Sequence, residues 1–210
     1  MVENKRLSDY VQYFPNMLDK EYCDYAISEM ETCDKFIPLF YGKQVYNYDF
    51  YWIGIHEEND LKHLYFPIID SLLSAKDKYL EKIDIHPIPG PKRNIKEVDY
   101  FIEFGDKIRI QHHRKGGFTP RHIDNSISQN PPKQKIPYHP YERFLEAGNA
   151  NISAVLYLND NYKGGEFYIL DKEYYAEKGS IIVFPSGFMY PHGVRKVTEG
   201  ERWSISIFLR

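Results

Sequence analysis

Cysteine is nearly absent: Cys23 and Cys33 are the two thiols among 210 residues. Two cysteines make no disulfide scaffold, and both fall in one stretch that reads as helical, so free thiols in a reducing compartment are expected. No apolar run approaches the roughly 20 residues needed to span a bilayer. Met1 to Tyr10 is mostly polar and lacks the apolar core of a secretory signal. The expected location is the cytoplasm, with no membrane partner. Charge of one sign is lacking as well. Against 27 basic side chains stand 30 acidic ones, and the net charge of −3 is too weak a field to draw the chain to nucleic acid. Aromatic residues, by contrast, are plentiful at 16%, with 19 tyrosines, and such side chains suit strands and semi-polar pockets. A hydrophobic fraction of 42% over this length can bury a core and excludes global disorder.

Periodicity divides the chain. Residues 16–34 read as a short amphipathic helix with Leu18, Tyr22, Tyr25, Ala26 and Met30 on one face and Asn16 or Asp19 as the cap. Residues 36–56 are aromatic and β-like. Residues 59–82 give the clearest helix, capped by Asn59 or Asp60, and Pro67 either kinks it or marks its true start. A proline-rich loop follows at 86–97. Beyond it the pattern turns to short strands: 98–104 and 107–113 as a hairpin around Gly105-Asp106, then 152–158, 166–170, 180–184, 194–197 and 202–209. Turn signals at Gly164-Gly165, Lys178-Gly179 and Glu199-Gly200 separate them. Many short strands behind a helical front suggest a mainly β, α+β sandwich or jelly roll carrying helices. The expected organisation is a single domain, with residues 1–97 as a supporting region and 98–210 as the core. Residues 125–150, with Pro131-Pro132, Pro137 and Pro140, leave directly from Asp124 and are expected to form a lid over a substrate.

His122-Ile123-Asp124 and, far downstream, His192 carry the chemistry. Side chains at i and i+2 of a strand share a face, so His122 and Asp124 grip one ion from a strand edge or its exit. Two imidazoles and one carboxylate suit a non-haem Fe(II) centre with open positions; a closed four-ligand set would read as structural zinc. Arg202 opens the apolar strand that ends at Leu209, and its planar fork matches a carboxylate as a lysine would not. Metal ligands plus a carboxylate anchor point to an enzyme that uses iron and an organic diacid.

The text around these residues is specific. It runs Ile152-Ser153-Ala154-Val155-Leu156-Tyr157-Leu158-Asn159-Asp160, Gly164-Gly165-Glu166-Phe167, Lys178-Gly179-Ser180-Ile181-Ile182-Val183-Phe184-Pro185-Ser186, Pro191-His192-Gly193-Val194 and Val197-Thr198-Glu199-Gly200-Glu201-Arg202-Trp203-Ser204. In order and spacing this resembles the catalytic domain of prolyl 4-hydroxylase-type, 2-oxoglutarate/Fe(II)-dependent dioxygenases, over roughly the second half of the chain. The resemblance implies a double-stranded β-helix, a jelly roll closed around the metal, with helices packed on one sheet. It implies that His122, Asp124 and His192 bind Fe(II), that Arg202 pairs with the 5-carboxylate of 2-oxoglutarate, and that Tyr157 and Ser206 offer hydroxyls beside it.

The same resemblance implies O2 as co-substrate, succinate and CO2 as products, and hydroxylation of an unactivated C–H. Proline in a peptide or protein is the leading target, and a free amino acid or other small molecule the alternative. Arg109, Arg114 and Arg121 are the cations that could hold a small carboxylate substrate, although solvated strand charges are the plainer reading of all three. Related hydroxylases use ascorbate, and the expectation extends here. One departure stands out. Where relatives carry a tyrosine on the strand before the first ligand, this chain has His112 and His113. One of the two is expected to line the cofactor pocket and the other to face solvent.

Overall fold

A computed structural model of the protein describes residues 5–41, 44–53, 61–83, 108–124 and 152–209. The expected strand 98–104, the loop 86–97, the caps Asn59 and Asp60 and the lid 125–150 lie outside the described residues. Helix α1 spans Lys20–Glu31, and Asp19 caps it by accepting a hydrogen bond from the Tyr22 amide at 2.9 Å. Its buried face is Cys23, Ala26 and Met30, while Tyr25, expected in the stripe, is exposed. Helix α2 spans Tyr65–Ile83 after a short 3-10 turn. Pro67 therefore sits in its first turn, where no intrahelical donor is lost. Ile68, Leu72, Ala75 and Tyr79 form the buried stripe.

The strands build two main sheets. The larger has the order β1-β10-β6-β13-β4-β3-β2, from Gln12–Phe14 (β1), Ile181–Pro185 (β10), Ile152–Tyr157 (β6), Arg202–Leu209 (β13), Ile108–His113 (β4), Gln44–Ile53 (β3) and Ile37–Tyr41 (β2). The smaller has the order β5-β11-β8-β9, from Thr119–His122 (β5), His192–Val194 (β11), Phe167–Ile169 (β8) and Lys172–Tyr174 (β9). A two-stranded ribbon pairs Val197–Glu199 (β12) with Lys163–Gly164 (β7). Among the described residues the strand pairings of the two main sheets are antiparallel. This is a jelly roll with helices on one face. Residues before position 98 are part of the large sheet as well as of the helical layer, because β1 pairs β10 and β3 pairs β4.

Period-2 alternation sorts the large sheet. Ile152, Ala154 and Leu156 of β6, Ile181 and Val183 of β10, and Trp203, Ile205 and Ile207 of β13 pack in one cluster with α1 and α2. Val155 and Tyr157, with Ile182 and Phe184, face the other way and meet Phe167, Ile169 and Val194 of the small sheet. The polar residues of β13, Arg202, Ser204 and Ser206, are buried and alternate with the helix-facing set, so they point between the sheets.

One strand expectation changes. The single strand at 194–197 is two, β11 and β12, belonging to different sheets. The strand that the His122–Asp124 spacing calls for is β5, whose bounds the sequence leaves open because Pro120 interrupts it. Proline is tolerated there because β5 is the edge of its sheet among the described residues. Gly179 has φ +78°, and its carbonyl accepts from the Met17 and Leu18 amides at 2.7 and 3.0 Å. A Cβ there would run into the Leu18 carbonyl. Gly179→Ala is expected to destabilise the fold by more than ~1 kcal/mol, read as a lower denaturation midpoint.

Candidate metal centre and carboxylate anchor

Antiparallel pairing of β5 with β11 sets His122 directly opposite His192, and Asp124 follows at the exit of β5. His122 Nε2 lies 3.3 Å from Asp124 Oδ1 and His192 Nε2 lies 3.3 Å from Asp124 Oδ2. One ligand atom from each of the three lies within 4.8 Å of the others, a set that could hold a metal ion. Local backbone fixes both rings. His122 Nδ1 is 2.9 Å from the Pro120 carbonyl and His192 Nδ1 is 3.0 Å from the Tyr190 carbonyl. A carbonyl only accepts, so each Nδ1 carries the proton and each Nε2 lone pair faces the carboxylate. Three acceptors converging on one point are reconciled by a cation. Burial would raise the Asp124 carboxyl, but where the facing Nε2 atoms also carry protons, hydrogen bonds and charge from His122 and His192 hold it well below the usual carboxylate range.

Sequence reasoning assigned no role to Ser153 and Ser186. Ser153 Oγ donates to Asp124 Oδ2 at 2.6 Å and lies 2.7 Å from Ser186 Oγ. Ser153 has one proton, so Ser186 is the donor of the second bond. Both hydroxyls are buried, and the pair fixes the carboxylate from the large sheet. No spacing signal marks them, because their meeting depends on how β6 and the end of β10 pair. Ser153→Ala is expected to weaken divalent metal binding by about 10–100-fold, measured by Mn(II) titration of the metal-free protein.

At the other end of the same pocket, Arg202 is 0% exposed, as is Tyr157. Arg202 Nη1 donates to Ser204 Oγ at 2.7 Å and faces His113 Nδ1 at 3.3 Å, and the guanidinium carbon lies 5.0 Å from the Tyr157 ring centroid. Arg202 Nε and Nη2, Tyr157 Oη and Ser206 Oγ are buried without a hydrogen-bond partner. A buried cation with two idle donors is costly unless an anion completes it. The dicarboxylate implied by the sequence fits this gap. Burial pushes the Tyr157 phenol up, with Arg202 opposing, so it stays a donor.

Of the paired histidines, His113 is wholly buried beside Arg202 and joins Thr119 Oγ1 at 2.8 Å through Nε2. The expectation that the other faces solvent is corrected. His112 is 5% exposed, stacks on Trp203 with ring centroids 3.7 Å apart, and reaches Glu201 at 2.7 Å. Aromatic stacking on the helix side of the sheet holds it, which strand alternation alone does not reveal. Burial lowers His113 well below its ordinary value, helped by Arg202, Arg109 and His112, and burial also lowers His112, against Glu201. The fold favours the neutral form of both, while the unfolded chain takes up their protons below the ordinary value of 6.5. Stability is therefore expected to fall as pH drops through that value. The check is melting temperature against pH, where His113→Phe should show a shallower acid slope. Among the three candidate arginines, Arg109 lines the pocket, together with Gln111 and Phe208, whereas Arg114 and Arg121 are exposed.

Comparison with known proteins agrees with this geometry. Residues 108–210 match the family described as 2OG-Fe(II) oxygenase superfamily. Human prolyl 3-hydroxylase 1 is 32% identical over 106 residues, covering 47% of this chain and 14% of that protein. The chain thus spans a small part of the curated relatives it matches. A Pseudomonas putida prolyl-4-hydroxylase structure superposes with a TM-score of 0.61 at 17% identity, covering 97% of this chain and 93% of that one. A Trichoplax adhaerens prolyl hydroxylase, solved with a peptide fragment of the hypoxia inducible factor oxygen degradation domain, gives 0.59 at 15% identity, covering 96% and 84%. These structural likenesses establish the fold. Through residues 108–210, just under half of its length, the chain is similar to the 2OG-Fe(II) oxygenases. Among the described residues no helix is long and apolar enough to cross a membrane.

Proposed function

We propose that this chain is an Fe(II)- and 2-oxoglutarate-dependent dioxygenase that hydroxylates prolyl residues in a peptide or protein, with release of succinate and CO2. The observation that carries the reaction class is the pairing, in one pocket, of the His122–Asp124–His192 cluster with a buried Arg202 whose Nε and Nη2 lack partners. In this reading His122, Asp124 and His192 hold the metal. Arg202, Tyr157 and Ser206 receive the distal carboxylate. The bound iron and oxo acid supply the oxidising chemistry, with O2 as oxidant.

The chain's own residues orient, desolvate and balance charge. Asp124 contributes one negative charge and Arg202 one positive, and these with a divalent cation and a dianion sum to zero in a pocket where net charge is expensive. Retention of a carboxylate at 124 argues against halogenation, which needs that coordination position vacated. The proline assignment draws on the prolyl hydroxylases that match in sequence and fold. Ascorbate as a rescuing reductant belongs to the same reading, as do a single oxygenase domain and a cytoplasmic setting, for which the free Cys23 and Cys33 speak.

A second reading has one observation behind it. Arg109 lines the pocket, a suitable cation for the carboxylate of a free amino acid or other small acid. One experiment separates the two. Succinate release with Fe(II), 2-oxoglutarate and ascorbate is measured against proline-rich peptides and against free proline. Peptide-stimulated turnover with no response to free proline is the expected result. Stimulation by the free amino acid alone would transfer the assignment to the small-molecule reading.

A further inference from the structure

His113 occupies a position that the β-register makes unavoidable. Strand β13 pairs β4 with Arg202 opposite His113, so the two side chains are cross-strand neighbours on the pocket side. Arg202 Nη1 meets two oxygen or nitrogen acceptors, Ser204 Oγ at 2.7 Å and His113 Nδ1 at 3.3 Å. A guanidinium only donates, so His113 Nδ1 is the unprotonated nitrogen and its proton sits on Nε2. That proton goes to Thr119 Oγ1, 2.8 Å away. With Nη1 occupied, the donors left over are Nε and Nη2. These form the side-on edge of the fork, two parallel N–H groups that match a carboxylate.

We infer that His113 is a positioning residue: with its ring held in place by Thr119, it turns Arg202 so that the Nε–Nη2 edge faces the distal carboxylate of the oxo acid. The chain Arg202–His113–Thr119 also crosses from the large sheet to the small one, because Thr119 lies on β5, the strand that ends in His122. It ties the carboxylate anchor to the strand bearing a candidate metal ligand. A phenol at 113 in place of the imidazole would have a single oxygen with which to serve both neighbours. The inference rests on the 2-oxoglutarate reading of the pocket and goes beyond it in assigning His113 to the arginine rather than to the oxo acid.

The test uses the full chain loaded with Mn(II), titrated calorimetrically with 2-oxoglutarate and with 2-oxobutyrate. The second ligand has the chelating end but no distal carboxylate. His113→Phe keeps a ring and removes the acceptor. It is expected to weaken 2-oxoglutarate about tenfold or more while leaving 2-oxobutyrate unchanged. His113→Asn restores an acceptor near the Nδ1 position and is expected to recover part of the loss. Thr119→Val removes the anchor of the imidazole ring without touching His113 and is expected to weaken 2-oxoglutarate selectively as well, so the inference stays testable if the variants at 113 do not fold. Equal weakening of both oxo acids would mean a merely structural role and overturn the inference, as would unchanged affinity for both. Wild-type protein that binds 2-oxobutyrate but not 2-oxoglutarate more tightly would overturn the pocket reading itself, and the inference with it.

Discussion

His192→Ala is expected to abolish succinate formation and to lower Mn(II) affinity by more than the roughly 10–100-fold that follows loss of an outer partner. The imidazole is narrowly held. Phe184 and Phe167 lie 4.7 and 5.4 Å from its ring centroid to centroid, the Tyr190 carbonyl fixes its Nδ1, and β-pairing sets it opposite His122. Its remaining nitrogen has one direction to face, towards Asp124. Alanine removes that nitrogen and leaves a void between two phenylalanines. A void of this kind costs stability, so circular dichroism and melting temperature must accompany the metal titration. A folded variant that still binds Mn(II) like wild type would remove His192 from the metal site.

Arg202→Met is expected to do two opposite things. Affinity for 2-oxoglutarate should drop by about 100-fold or more, since a buried, bidentate, charge-assisted pair is lost. The melting temperature of the protein without oxo acid should rise, because an isolated guanidinium with two idle donors gives way to an apolar side chain of similar length. Replacing buried ionic groups by well-packed apolar ones stabilises proteins by about 1–4 kcal/mol in favourable cases. Adding 2-oxoglutarate with Mn(II) should then raise the melting temperature of wild type but not of the variant. Arg202→Lys is not expected to rescue binding, because an ammonium cannot present two parallel donors. If Arg202→Met lowers stability and leaves 2-oxoglutarate affinity intact, the guanidinium is a structural element and the anchor lies elsewhere.

The parts of this site legible in sequence are those written into one strand. Along β13, Arg202, Ser204 and Ser206 alternate with Trp203, Ile205 and Ile207, and the alternation fixes both the strand and which side chains enter the barrel. His122 closes β5 and Asp124 follows at its exit, the arrangement that their i, i+2 spacing suggests. The residues that sequence did not mark, Ser153, Ser186 and Thr119, matter through partners on other strands, and no period within their own segments encodes that. The bounds of β5 are not legible because four residues containing a proline carry almost no strand signal, although an edge position accommodates them. His112 illustrates tertiary override: alternation puts it opposite His113 in facing, but stacking on Trp203 beneath Phe36, 5.6 Å away ring to ring, buries it where solvent was expected. The helices were placed well because their apolar stripes recur over several turns. Helix α1 begins at its Asp19 cap, and α2 begins at Tyr65 with Pro67 accommodated in its first turn.

The central claim is that one pocket holds a divalent iron at His122, Asp124 and His192 and a dicarboxylate at Arg202. Anaerobic titration of the Fe(II) protein with 2-oxoglutarate tests it most directly. A weak visible absorption band that saturates at one equivalent is the predicted result. It should be absent in His192→Ala and require much higher oxo acid in Arg202→Met. No band in the wild type, or a band equally strong in both variants, would contradict the account.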